Sequence, residues 1–324
     1  MKFLKNIQFN YYQKLLDTLY QENKLPELKE ILLELRKKDK QLFYHFAIKY
    51  LPEMIHNFNF ENLFNKKIIW LNSFYKKDIK VLTSFLDFYL NSNFSSSFSI
   101  LDYSDLISEI SNDYDLFTDQ KLTFEEYVRN NLFFQFLITE REEDYIFLIN
   151  NSAFFEQREI KNYFTFTNLC LSYVYIINNP ILIFSDYVSN HKMDKDQAIT
   201  EICNLHQNSN FKLVGQNEII EPSQSWNINV QSWTGNNVLN TFNGHILKKD
   251  AIFSNGLDVF SEIIAHLNQA GISIDLNYEK IAEFVDYDKV LEKTDTNPEV
   301  FSNKIKKIFH RECYDMAKKF DYDF

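Results

Sequence analysis

NYFTFTNLCLSYVYIINNPILIFS, from Asn162 to Ser185, runs 24 residues without a charged side chain, and its reading decides the fold. Its length is that of a membrane span. Asn168, Asn178, Asn179 and Pro180 interrupt it, however, and Asn-Asn-Pro is a chain-breaking signal. Residues 160–177 therefore read as a helix buried on all sides, and no membrane partner is expected.

Upstream, the apolar spacing is helical. Leu28, Ile31, Leu32 and Leu35 form an i, i+3, i+4, i+7 stripe, with Pro26 near its start and Arg36, Lys37 and Lys38 near its end. Ile79, Leu82, Phe85, Leu86 and Tyr89 repeat it, and residues 101–110, 124–138 and 144–155 continue the series. All five glycines lie between Gly215 and Gly271. The first 214 residues thus hold no Walker loop, G-x-G-x-x-G turn or nucleophile elbow, and no cofactor is expected there.

Downstream, Trp226, Ile228 and Val230 alternate with Asn227, Asn229 and Gln231, a period of two that suits a strand. Residues 211–214 and 218–220 read as further short strands. Helices resume at Gly256, where Leu257, Phe260, Ile263, Ile264 and Leu267 precede a stop at Gly271. A last helix is expected from Asn297 as N-cap and Pro298 at its first position. The expected fold class is mainly α: a helical bundle or irregular α-solenoid with a short β/loop insertion near residues 211–256. The expected organisation is a single domain, 1–324. It allows a subdivision into a helical layer (1–210) and a mixed segment with closing helices (211–324). No fixed repeat period is found.

The net charge of −11 argues against a nucleic-acid partner. It is unevenly spread: residues 81–160 carry 4 basic against 15 acidic side chains, a net of −11, whereas residues 1–80 are net +6. Asp102, Asp105, Glu109, Asp113 and Asp115 form one acidic group, and Glu142, Glu143 and Asp144, next to Glu140, form another. Tyr103, Tyr114, Phe117 and Tyr145 are interleaved with them. Such a surface would attract a basic protein. The leading expectation is therefore a non-enzymatic interaction protein, exemplified by a bacterial cytoplasmic immunity protein or antitoxin. Three scattered cysteines and the absence of an apolar leader also suggest the cytoplasm.

The alternative is an enzyme or small-ligand binder with its site in residues 211–266. Trp226, Trp233, His245 and Asp250 would line its pocket. Two metal arrangements are also conceivable. Cys203 and His206 with His310 and Cys313 would suit tetrahedral zinc if their helices met. Glu262 and His266, one turn apart, could share a metal or a proton. The cysteine–histidine pairs sit in apolar helices and not in the short knuckles usual for zinc, and Glu262 and His266 have no further ligand, so no metal is assigned.

Overall fold

The computed structural model describes residues 2–39, 42–43, 45–47, 49–50, 66–114, 124–154, 156–157, 162–163, 165, 169–203, 212–214, 219–221, 225–287 and 302–322. They belong to two compact units. The first comprises residues 1–65, 122–140 and 156–165, and the second comprises 66–121, 141–155 and 166–324.

The first unit is helical. Lys2–Gln21 and Leu25–Lys38 are joined through Asn23, which takes a left-handed φ of 55°. Leu28, Leu32 and Leu35 face inward, as their spacing requires. Phe124–Thr139 is another long helix, and the Phe136 ring meets Phe43 edge-on at 5.9 Å.

The second unit is built on a sheet. Its strands are β1 (Ile68–Ser73), β2 (Phe98–Asp102), β3 (Tyr145–Asn150), β4 (Cys170–Ile177) and β5 (Gly244–Lys248). They lie in the order β2-β3-β1-β4-β5, and every neighbouring pair is parallel. The expected all-α bundle or solenoid is thereby overturned: the protein has an α/β fold. From Cys170 on, the uncharged stretch that decides the fold is a central strand followed by a short helix, Pro180–Ser189, which Asn179 caps by accepting from the Ile181 amide at 2.9 Å. A parallel strand covered on both faces is apolar throughout, so β4 carries no alternation to betray it. Its eight residues, rich in Tyr, Val and Ile, suit a strand better than a helix.

One face of the sheet presents Ile69, Leu71, Phe147, Val174, Ile176 and Leu247 to the helices Ile79–Asn93, Gly256–Gln269 and Tyr278–Tyr287. Phe85 stacks on Phe260 at 4.2 Å within this core. The other face carries Trp70, Asn72, Tyr173 and Tyr175. Here Trp226–Thr234 is a helix and not the expected strand: Ser225 caps it, and Trp226, Asn229, Val230, Trp233 and Thr234 are buried at helical spacing. The expected short strands of the 211–256 region form an antiparallel ladder, Lys212–Val214 with Ile219–Glu221. Gly271 ends its helix with a φ of 93°. The expected start of the last helix, Asn297–Pro298, lies outside the described residues; Asn303–Glu312 is helical and capped by Ser302.

Candidate functional site

Strand order determines where a ligand can reach the backbone ends. From β1 the chain crosses to β2 at one edge of the sheet, whereas from β4 it runs to β5 at the other edge. These neighbours therefore send their connections in opposite directions, the arrangement at which open α/β sheets place a ligand crevice, outside the carboxyl ends of the two strands. The segments at these ends are residues 74–78 after β1, 178–191 after β4 and 249–250 after β5, with Lys248 closing β5.

Each segment brings charge. The turn Lys76–Asp78 leads into the helix Ile79–Asn93. Asp78 is 1% exposed, and its Oδ1 accepts from Lys249 Nζ at 2.5 Å and Asn178 Nδ2 at 3.1 Å. Burial raises its pKa, and Lys249 and Asn178 only partly offset this. Among the described residues, its Oδ2 and both polar atoms of the fully buried Asn72 side chain have no hydrogen-bond partner. Unpaired buried groups of this kind cost about 1–3 kcal/mol each.

Asp186 is the second buried carboxylate. It accepts from Tyr75 Oη, from Lys77 Nζ at 2.9 Å and from Asn190 Nδ2 at 2.6 Å. Burial alone would raise its pKa; the hydrogen bonds from Tyr75, Asn190 and Lys77 outweigh that and hold it below the usual range. His191 Nε2 lies 2.8 Å from Tyr75 Oη. At the margins Lys76 pairs with Asp102, and Lys248 with Asp321 at 2.9 Å. Tyr322 Oη donates to the Ile177 carbonyl at 3.1 Å and lies 3.4 Å from Asp250 Oδ1.

The four pocket residues taken from the sequence are not brought together. Trp226 and Trp233 are fully buried anchors, donating to the carbonyls of Asn178 at 3.1 Å and Ser152 at 2.9 Å. His245 lies near the amino end of β5 on the opposite face of the sheet from Trp233, stacked on His266 at 5.0 Å. Asp250 lies past the carboxyl end of β5, at the crevice. Of the metal candidates, the Cys203 and Cys313 thiols do meet, and both are buried and reduced. His206 lies outside the described residues, and His310 stacks on Tyr314 at 4.3 Å. Among the described residues no three His, Cys, Asp or Glu side chains converge on a metal position.

The acidic groups are scattered. Glu140 belongs to the first unit and pairs there with Arg36. Asp102 ends β2, while Asp144 precedes β3 and accepts from Ser97 N and Oγ at 2.9 Å each. Asp102 is level with Ile149, so five residues, roughly 16 Å of strand, separate it from Asp144. Asp105 and Glu109 lie on the helix Tyr103–Tyr114, which also contains Asp113, and Glu142 is exposed. Glu143 pairs with Arg141 at 3.2 Å. Asp115 lies outside the described residues.

No family model and no curated protein matches the sequence. Among solved structures, the chain is similar to mouse sulfotransferase SULT7A1 complexed with PAP. The identity is 12%, the TM-score is 0.45, and the match covers 78% of this chain and 87% of the other. The likeness concerns the general fold; the parallel ladder of this chain establishes α/β on its own. The expectation of an all-α interaction protein of the immunity type is corrected accordingly. The parallel sheet rules out the all-α architecture, and Asp102 and Asp144, from the two acidic groups, stand at opposite ends of neighbouring strands. No helix among the described residues is long and apolar enough to cross a membrane.

Proposed function

We propose that the chain is a small-ligand binder of enzyme type, its ligand carrying an anionic group and sitting at the carboxyl edge between β1 and β4. The observation that supports this most is the placement of Lys76, Lys77 and Lys249 at that one edge, each held by a carboxylate, Asp102, Asp186 and Asp78 respectively. Lys76 and Lys77 are half-exposed, so their ammonium groups can swing from a carboxylate to a ligand without unfolding anything. Of the described residues in the range 211–266, the segment 248–250 brings charge to this edge, and Trp226 anchors it through the Asn178 carbonyl. The buried thiols are in keeping with a reducing, cytoplasmic setting.

Calorimetric titration with sulfate, phosphate and simple nucleotides tests the reading. At least one anion should bind, and Lys77→Met should weaken it by roughly tenfold or more, as expected for a charge-assisted hydrogen bond. Unchanged affinity in both Lys77→Met and Lys76→Met would refute the assignment.

A further inference from the structure

The helix Tyr314–Lys319 ends in a turn that carries an unexpected residue. Asp321 N donates to Lys318 O at 3.1 Å and Tyr322 N to Ala317 O at 3.0 Å, the Schellman pattern of a helix end. Asp321 occupies the left-handed position of that turn, with a φ of 58°, where glycine or asparagine is usual. A Cβ is disfavoured there, and a carboxylate beside the carbonyl end of a helix is repelled by its dipole. The local backbone thus favours glycine over aspartate, and the reason for a carboxylate lies outside the turn.

That reason is Lys248, whose Nζ lies 2.9 Å from Asp321 Oδ2. The same ammonium lies 5.7 Å from the centre of the Tyr322 ring, and Tyr322 is itself buried, its Oη donating to the Ile177 carbonyl at 3.1 Å. Lys248 closes β5 level with Ile177, the last residue of β4, one strand spacing or roughly 5 Å away. The adjacent Lys249 reaches Asp78. Lys248 therefore stands at the same carboxyl edge as Lys76, Lys77 and Lys249, and its counter-ion differs from theirs. The side chains of Asp102, Asp186 and Asp78 are 17%, 3% and 0% exposed, whereas that of Asp321 is 86% exposed.

We propose that Lys248 is a further ligand-binding cation, masked by Asp321 until the anionic group of the ligand takes the place of that carboxylate. An ion pair with so exposed a partner is weak, so the exchange costs little. The Tyr322 ring meanwhile keeps the ammonium at the edge through its π face. Asp321 is in this way an internal anion that competes with the ligand. The inference rests on the reading of the edge as an anion site.

Calorimetric titration with sulfate at low ionic strength, where exposed charges are least screened, tests it. Asp321→Gly keeps the turn, because glycine suits the left-handed position, and should raise sulfate affinity about two- to fivefold, the scale of an exposed ion pair. Lys248→Met should weaken sulfate binding, and adding Asp321→Gly to it should bring no further change. A carboxylate that acts only through the general field would raise affinity equally in both backgrounds. That result, or no gain in Asp321→Gly, overturns the masking of Lys248; loss of sulfate binding in Lys77→Met would show that the anion site stands regardless. Failure of sulfate to bind the wild type and every variant overturns both.

Discussion

Replacing His266 with glutamine should remove a sizeable part of the acid sensitivity of the sheet-bearing unit. The His266 ring is buried against His245, and its Nε2 lies 2.6 Å from Ser172 Oγ. That hydroxyl donates its one proton to the Asn243 carbonyl at 2.7 Å, so His266 Nε2 is the donor to Ser172. Burial, and then the neighbouring His245, push the pKa of His266 from 6.5 down to about 4. A histidine with a depressed folded pKa contributes its full stability above the unfolded value and loses it as pH falls toward the folded one. Above pH 6.5 both states are neutral. Between pH 6.5 and pH 4 the unfolded chain takes up a proton that the folded chain refuses.

The shift corresponds to about 3 kcal/mol in full, and about 2 kcal/mol of it is lost between pH 7.5 and pH 5. Glutamine places an amide donor near the former Nε2 and does not titrate. His245, whose pKa is also lowered by burial, remains in both proteins and cancels in the difference. Urea unfolding followed by tryptophan fluorescence reads this unit specifically, because Trp70, Trp226 and Trp233 all belong to it and are fully buried. The wild type should lose about 2 kcal/mol more than His266→Gln over that pH interval. Curves that stay parallel within about 0.5 kcal/mol would refute the reasoning.

Gly244→Ala should destabilise the same unit by about 2–3 kcal/mol in urea unfolding. Its Cβ would lie 2.2 Å from the Tyr173 ring, which is held by a 2.6 Å hydrogen bond to the Trp233 carbonyl. Lys249→Met should lower stability by about 3–5 kcal/mol, because Asp78 would lose its counter-ion while remaining buried; Asp78→Asn in the same chain should restore most of the loss. The three thiols should react with a disulfide reagent only under denaturing conditions, since Cys170, Cys203 and Cys313 are all buried and unbonded. Fast labelling of the native protein would contradict their placement.

The helices were legible and the sheet was not, for one physical reason. Amphipathic helices such as Leu25–Lys38 and Gly256–Gln269 show their period because one side meets solvent. β1 is buried at every residue and reads as an unpatterned apolar run, Ile68 to Leu71, so it signals no period at all. β3 and β4, nearly as buried, merge by eye into neighbouring helical spacing. β2 is only five residues long and runs directly into the helix Tyr103–Tyr114. The reverse error arose at Trp226, where Asn at every second position imitates a half-buried strand. Ser225 three residues before Ile228 was the available cue for a capped helix. The missing glycines did exclude a glycine-rich phosphate loop. They did not exclude a parallel sheet, because the turn after β1 keeps ordinary negative φ values at Tyr75, Asp78 and Ile79.

The candidate site was hidden by the same mistake. Polar residues directly after apolar runs mark the carboxyl ends of strands: Asn72 and Ser73 close β1 and Lys76 to Asp78 follow it, Asn178 and Asn179 follow β4, and Lys249 and Asp250 follow β5. Once those runs are strands in one parallel sheet, all their ends must fall on a single edge, and lysines and aspartates far apart in sequence become neighbours. Acids close together in sequence are dispersed by the same topology. Asp102 closes β2 whereas Asp144 precedes β3, which puts them at opposite ends of the sheet, and the chain leaves the second unit at residue 121 and returns to it at 141. A charge sum over a sequence window measures a surface only where the window folds as one continuous element. In this fold the informative local quantity is the charge in the few residues after each strand, where Lys76 and Lys77 precede Asp78 and Lys248 and Lys249 precede Asp250.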